Sequence, residues 1–452
     1  MKQLPQDFVN RMKFLLGCEY ADFETAINEE PQKAFRVNKS KISIEDFCKI
    51  NPFGSEKIPY VDGGYYLNYD KVGNHPFHHA GLIYVQEPAA MAVTECLDIP
   101  TDAKVLDMCA APGGKSSQLK NKLGDNGLLV SNEIIPSRCK ILTGNIERLG
   151  LKNCVTTCMD TARLAALFPD TFDVIMVDAP CSGEGMFRKE QIAIDEWSQE
   201  NVNMCAERQS EILENAVKCL ANGGTIVYAT CTFSPEENEM QIDAFLKAHP
   251  DFEIVPVPEI VQKNSCDGIA FDGCCQNIHF ARRFYPHKTR GEGQFVAVLK
   301  HNGEKAPAYK QSKKPQQKID SVLIDFLDDT LETYNKDDIY LYGDTPVFYS
   351  GDIEIKKGNA FMCGVTIGEI KKNYVLPHHQ LFMAYGNDFK RKIDLAPDSD
   401  DIIKYLHGEE IKTDCQNGWA AVTVCGVPLG GAKVSNGVAK NHYPKGLRIH
   451  NA

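Results

Sequence analysis

Between residues 76 and 300, short apolar runs alternate with segments of helical period, and this alternation constrains the chain more than any other feature. The runs fall at 104–108, 127–132, 153–159, 172–177, 225–229 and 294–299. Runs so short and so continuously apolar suit strands covered on both faces, with the intervening helices as the cover. The expected architecture is therefore a doubly wound, Rossmann-like α/β domain over 76–300. Helix starts support it: one follows Gly113 and Gly114, one opens at Pro136, and one is expected at Ser234-Pro235-Glu236-Glu237.

The chain has 452 residues, a length that suggests roughly three domains. Residues 1–75 read as a small amino-terminal domain with a helix near Asp7 to Leu16. Residues 301–318 carry almost no apolar side chains and two prolines, the composition of a flexible basic linker. Residues 319–372 read as a small α/β piece, and 373–452 as a compact, mostly β module punctuated by glycine and proline. No apolar run approaches the ~18 residues that a membrane span needs, and the first residues turn acidic and polar too soon for a signal peptide. The expectation is a soluble, cytoplasmic protein with no membrane partner.

The net charge of −12 argues against a phosphate-rich partner, but the charge is unevenly spread. Residues 281–318 hold ten Lys or Arg against two Glu, and four bases without an acid lie from Lys433 onward. Residues 320–344 instead hold eight acids and one Lys. The average conceals two candidate basic surfaces. The 17 cysteines, expected to be reduced in the cytosol, show no paired CxxC spacing. Cys154 and Cys158 lack a second ligand pair, so no metal is expected. His75, His78 and His79 lack matching carboxylates and read as surface or loop histidines.

The segment Val105-Leu106-Asp107-Met108-Cys109-Ala110-Ala111-Pro112-Gly113-Gly114-Lys115 runs from strand through glycine turn to helix, where a ligand can approach the backbone closely. It is neither a phosphate loop nor GxGxxG. Asp107, Glu133, Asp160 and Asp178 end four consecutive strands and are expected to face one crevice. An acid at Glu133 can take both hydroxyls of a ribose, and Asp160 can accept from an adenine amino group. An aspartate commonly ends a strand merely as a turn former. Four in register with a glycine turn point instead to an adenosine-type ligand.

Strand four runs into Asp178-Ala179-Pro180-Cys181-Ser182-Gly183, and strand five into Ala229-Thr230-Cys231-Thr232. Both cysteines are expected at the ligand edge. A single cysteine there is more often a small buried hydrophobe than a nucleophile. Two beside a carboxylate suit a particular chemistry. Cytosine C5 is too weak a nucleophile to take a methyl group unaided, and a thiolate adding to C6 makes C5 carbanion-like. A base must then remove the C5 proton before the enzyme is released. Either thiol could attack on this reasoning.

DMCAAPGGK, SNEIIPSR, DAPCSGEGMFRK and YATCTFSPEENE resemble the successive motifs of the NOL1/NOP2/Sun RNA 5-methylcytosine methyltransferases, in particular the bacterial ribosomal RNA methyltransferase F group. The likeness is strong from Gln86 to Lys300. FRVNK at 35–39 resembles the amino-terminal RNA-binding segment of that family, and PHKTRGEGQF at 286–295 the end of its catalytic domain. NHYPKGLR at 441–448 is similar to its PUA-like RNA-binding module.

The resemblance implies a class I methyltransferase domain between two RNA-binding flanks. It implies S-adenosyl-L-methionine held by Cys109, Ala110, Ala111, Pro112, Gly113, Gly114, Lys115, Glu133, Asp160 and Asp178. Cys231 of the TCT motif would attack, and Cys181 would promote proton removal and release. Asp178 would hydrogen-bond the cytosine edge near N3, and Lys115 would orient the base. Arg138 and Arg188 would touch RNA or brace the loops. The implied partner is ribosomal RNA of the small subunit rather than DNA, acted on by a monomer. Two other readings compete: a transfer-RNA cytosine-5 methyltransferase, and a non-catalytic RNA-binding assembly factor. An amino-group methyltransferase would instead show Asn or Asp, two prolines and an aromatic after strand four, where Ala179 and Cys181 stand.

Overall fold

The computed structural model describes residues 3–304 and 317–449. Six strands form the heart of one sheet: β1 (Lys104–Asp107), β2 (Leu128–Asn132), β3 (Cys154–Thr157), β4 (Phe172–Asp178), β5 (Leu220–Thr230) and β6 (Gln294–His301). Their order is β3-β2-β1-β4-β5-β6, with all neighbours parallel except the antiparallel β5–β6 pair. The order reverses between β1 and β4, and ligands of such sheets sit where the strands end at that reversal.

Alternation along each strand sends neighbours to opposite layers. Val105, Leu129, Val174, Met176, Val227 and Val296 join one core with helices Pro88–Glu95, α1 (Gly114–Lys120) and α2 (Pro136–Arg148). Leu106, Val130, Val155, Ile175, Val177 and Tyr228 join the other with α3 (Thr161–Leu167), α4 (Gln199–Cys219) and α5 (Glu239–Ala248). In α4 the buried residues Val202, Cys205, Gln209, Ile212, Leu213, Ala216 and Cys219 follow the three-four spacing of an amphipathic helix, and Ser198 caps its first turn by accepting from Asn201 N. Among the described residues no helix is long and apolar enough to cross a membrane.

Several expectations need correction. The helix expected at Ser234 begins only at Glu239, because Glu237 and Asn238 turn inward and are fully buried. The small amino-terminal sheet takes strand Ile83–Val85 beside Ala34–Val37, so that unit runs past residue 75. Residues 319–372 do not stand apart, since Met362 and Cys363 pair with Thr156 and Val155 and extend the central sheet at the β3 edge. The expected linker at 301–318 lies outside the described residues over 305–316. The carboxyl-terminal module is a five-stranded sheet with helices His379–Tyr385 and Asp400–His407. It shares a core with the amino-terminal unit: Phe35, Phe77 and Leu82 pack in one cluster with Val422, Leu429 and Tyr443.

The three histidines are half-buried, and His79 reaches across this junction. His75 packs edge-on against Phe53 and Phe77, and His79 Nδ1 lies 2.9 Å from the Tyr443 hydroxyl. Burial holds all three imidazoles below their ordinary range.

The basic run at 281–318 is likewise not one surface. Arg282 is buried and pairs with Asp267, while Arg283 is 2% exposed and its Nε donates to Glu239 Oε1 at 2.6 Å. Removing one partner of such a pair leaves an uncompensated buried charge. Arg283→Ala is expected to cost about 3–5 kcal/mol in urea unfolding, and pairing Arg283→Met with Glu239→Leu to recover most of that loss.

Candidate active site

The glycine turn after β1 requires the residues it has. Gly113 has φ +107°, a region that side-chain-bearing residues rarely adopt, and an added Cβ would meet Leu142 Cδ1 at 3.1 Å. Arg36, expected near RNA through FRVNK, is instead buried beneath this turn. It donates to Gly114 O at 2.6 Å, to Ser117 Oγ and to Gln86 Oε1. Its role is to hold the start of α1 in place.

A cavity of about 990 Å³ opens along the strand ends. Cys109, Ala111, Lys115, Glu133, Asp160, Asp178, Cys181 and Cys231 line it; Ala110, Pro112, Gly113 and Gly114 shape the turn without lining it. Asp107 does not face the crevice. It is fully buried and accepts from Ser116 Oγ at 2.6 Å, with Ser131 Oγ 3.0 Å from Ser116 Oγ. It braces β1, β2 and α1 against one another.

On the β2–β3 side, Glu133 accepts from Ile135 N at 2.9 Å and lies 3.5 Å from Arg138 Nη1. Arg138 also donates to Ala111 O at 3.0 Å, tying this acid to the turn. Asp160 spends one oxygen on Arg163 N, capping α3, while still lining the cavity. Ile134, Ile135 and Met159 add an apolar wall that sequence reasoning missed, although two exposed isoleucines after an acid at a strand end were a visible signal.

On the β4–β5 side, Lys115 Nζ donates to Asp178 Oδ2 at 2.8 Å. Burial alone would lower the Lys115 pKa, but the Asp178 carboxylate outweighs it and the ammonium is held above its ordinary value. Cys181 and Cys231 are brought together, Sγ to Sγ 3.4 Å. The adjoining Cys231 thiol and burial push the Cys181 thiol well up, so it stays protonated at neutral pH.

Two buried carboxylates hold the cysteine loops. Glu237 accepts from Ser182 N and Gln209 Nε2, each at 2.9 Å, and from Ser182 Oγ, which reaches Thr232 Oγ1 at 2.9 Å. Burial pushes Glu237 up while the Ser182 hydrogen bonds pull it down. Glu184 accepts from Trp197 Nε1 at 2.8 Å and Phe233 N at 3.0 Å, and pairs with Arg11. Gly185 N donates to Cys231 O at 2.8 Å. Arg188 is buried and donates to the carbonyls of Glu29, Glu30 and Gly291, so it braces loops rather than facing solvent. Glu184 and Glu237 lay in plain view within quoted motifs, but only the folded chain shows that they clamp.

The strand order, the glycine turn and the acid-lined crevice define a Rossmann-like methyltransferase. Three family profiles match the chain. "16S rRNA methyltransferase RsmB/F" matches residues 94–300, "N-terminal domain of 16S rRNA methyltransferase RsmF" matches 4–88, and "Methyltransferase RsmF PUA domain" matches 392–449. The ribosomal RNA small subunit methyltransferase F of Klebsiella pneumoniae (strain 342) is 30% identical over 98% of this chain and 96% of its own length. That of Vibrio parahaemolyticus is 32% identical over 84% and 83%. A solved methyltransferase homolog from Pyrococcus horikoshii superposes with TM-score 0.58 at 28% identity, over 66% of this chain and 95% of its own. NSun6 from the same organism, determined with SFG, shares the fold at TM-score 0.57 and 21% identity, over 66% and 99%. The chain belongs to the RsmB/F family of RNA methyltransferases, with the domain complement of methyltransferase F.

Burial pushes the Asp107 carboxyl up to about 7 against the pull of the Ser116 hydrogen bond. A carboxyl raised above its unfolded value binds more protons in the folded chain. Its stabilising contribution is therefore present at low pH and lost as pH rises from about 4 towards about 7. Asp107→Asn is expected to flatten the fall in stability across that window, read as the urea midpoints of both proteins at its two ends.

Proposed function

We propose that this chain transfers a methyl group from S-adenosyl-L-methionine to C5 of a cytosine in small-subunit ribosomal RNA, with Cys231 as the covalent nucleophile. The observation that carries the reading is the pair of thiols 3.4 Å apart at the edge of a cavity that also holds the Lys115–Asp178 ion pair. The choice of ribosomal RNA rests on the relatives named above, and the choice of Cys231 on the TCT motif.

The residues present suit the cofactor. Glu133 offers acceptor oxygens for ribose hydroxyls, Ile134, Ile135 and Met159 an apolar wall for adenine, and Asp160 a carboxylate at the exocyclic edge. When bound, S-adenosyl-L-methionine supplies an electrophilic methyl group. The protein's own residues do the rest. Cys231 Sγ, as thiolate, forms a bond to C6 and raises electron density at C5, which then takes the methyl group. Asp178, oriented by Lys115, accepts from the ring edge near N3 once N3 carries a proton, and the Lys115 ammonium offsets the negative charge that develops on the ring. Cys181, the protonated partner, belongs to the second half: the C5 proton passes to solvent water, its bonding pair re-forms the C5–C6 double bond, and the Cys231–C6 bond breaks to return a Cys231 thiolate to which the Cys181 thiol donates. The target base leaves its stack to reach this depth.

The expected outcome of mutagenesis is asymmetric. Cys231→Ala should form no covalent RNA adduct and no product. Cys181→Ala should accumulate an adduct visible as a shifted band on a denaturing gel. An adduct recovered with Cys231→Ala would reverse the two roles. Bisulfite sequencing of ribosomal and transfer RNA, from cells with and without the gene, identifies the substrate.

A further inference from the structure

Beyond the thiols and the acids of the strand ends, two more polar side chains line the same cavity on the segment that enters β6. Glu292 is 3% exposed and Gln294 2% exposed. Both carboxylate oxygens of Glu292 and the Nε2 of Gln294 are buried without a hydrogen-bond partner. Arg188 Nε and Lys189 Nζ stand 3.8 and 3.7 Å from Glu292, close enough to offset its charge but beyond hydrogen-bond reach. The backbone is fully engaged by comparison: Glu292 N donates to Glu87 Oε1 at 2.7 Å, and Arg188 Nη1 to Gly291 O at 3.3 Å. The segment is thus held firmly while its two polar tips are left unmatched. Burying a polar group unmatched is costly, so such groups mark a place where a partner is to arrive.

Their position says which partner. In the antiparallel β5–β6 pair Phe295 stands opposite Thr230, which sets Gln294 and Gly293 beside Cys231 and Thr232. Gly293 is packed tightly there: a Cβ at Gly185 would meet Gly293 O at 3.0 Å and Cys231 O at 2.8 Å. A ring attached to Cys231 therefore has this segment along its flank. The orphaned groups are one anionic acceptor and one amide donor. Cytosine presents the complement, an N4 amino donor and an O2 acceptor on either side of N3. Uracil presents an acceptor at position 4 and would set its O4 against a carboxylate.

We propose that Glu292 and Gln294 read the target base, Glu292 accepting from the N4 amino group and Gln294 donating to O2, so that this segment makes the enzyme select cytosine over uracil. The assignment rests on the reaction proposed above and deepens it. The terminal torsions of both side chains have broad wells, so the polar atoms can turn to an incoming edge at little cost. Burial, with Glu87 adding to it and Lys189 and Arg188 opposing, raises the Glu292 pKa. The amino group would therefore be read by a carboxylate whose charge Lys189 and Arg188 offset in part and whose hydrogen bonds are still to be made.

The test uses the full chain and the modified position mapped by bisulfite sequencing. Two ribosomal RNA transcripts carry 5-fluorocytidine or 5-fluorouridine at that position, and covalent trapping is timed on denaturing gels. The wild type should trap the fluorocytidine transcript and discriminate against the fluorouridine one. Glu292→Gln, whose amide can donate to O4, should slow fluorocytidine trapping by about 30-fold and narrow the cytosine-to-uracil ratio at least about tenfold. Gln294→Met should slow both transcripts by about tenfold with the ratio unchanged, because O2 is common to the two bases. Calorimetric S-adenosyl-L-methionine binding should be unaltered in both. Folded variants that trap fluorocytidine within threefold of wild type, or a ratio unmoved by Glu292→Gln, overturn the assignment. Should circular dichroism show Glu292→Gln unfolded, Gln294→Met decides alone, and an unchanged rate there overturns it. A wild type that traps neither transcript overturns the reaction itself and this assignment with it, whereas intact wild-type trapping with unaffected variants overturns the assignment only.

Discussion

The parallel register of β4 against β5 is the constraint from which the site follows. Asp178 pairs with Ala229, and Ala179 N continues the ladder by donating to Ala229 O at 2.9 Å. The two strands therefore end level, and the few residues beyond them carry Cys181 and Cys231 to within 3.4 Å of each other. A slip of one residue would exchange the faces served by Val177 and Tyr228 and draw the thiols apart. Both strands are clamped by fully apolar layers on either side, so no such slip is available.

The part of the fold that is legible in the sequence follows the same logic. The six central strands were legible because each is a compact apolar run bounded by Gly, Asp or Asn, and the chemistry-bearing residues stand where those runs stop. Pro136 marked its helix correctly because proline at the first turn acts locally. Ser234 and Pro235 misled for the opposite reason. The local cap signal was outweighed by distant partners, Ser182, Gln209 and Tyr228, that draw Glu237 into the interior. The inward turn of Asp107 was hidden likewise, since a strand-end aspartate looks the same whether it meets a ligand or a Ser116 hydroxyl. Strand Met362–Cys363 is two residues long and has no pattern of its own; it exists because the edge of β3 is there to receive it.

Charge shows the limit of composition most plainly. Arg36, Arg188, Arg282 and Arg283 look like the positive surface of an RNA-binding protein, and all four are buried. They bind carbonyls and carboxylates of the protein itself, at the glycine turn, at the loop after Cys181 and beneath β6. An arginine can serve this way because its planar fork satisfies several acceptors at once. Internal bracing of this kind keeps the cavity walls stiff, which the reaction proposed for the two thiols and the ion pair would require.

The shared core of the first and last modules has its own consequence. Phe35, Phe77 and Leu82 from the start of the chain meet Val422, Leu429 and Tyr443 from its end, and Lys41 Nζ donates to both Ala80 O and Pro428 O. In topological terms the polypeptide is a belt buckled behind its own catalytic unit. Closing a belt of this length costs only slightly more entropy than closing a short one, because the cost grows with the logarithm of the contour. A catalytic unit excised by itself would also bare Phe187, Trp197 and Phe233, which pack with Phe8 and Phe23 of the first module, so these regions are parts of one object and not beads on a string.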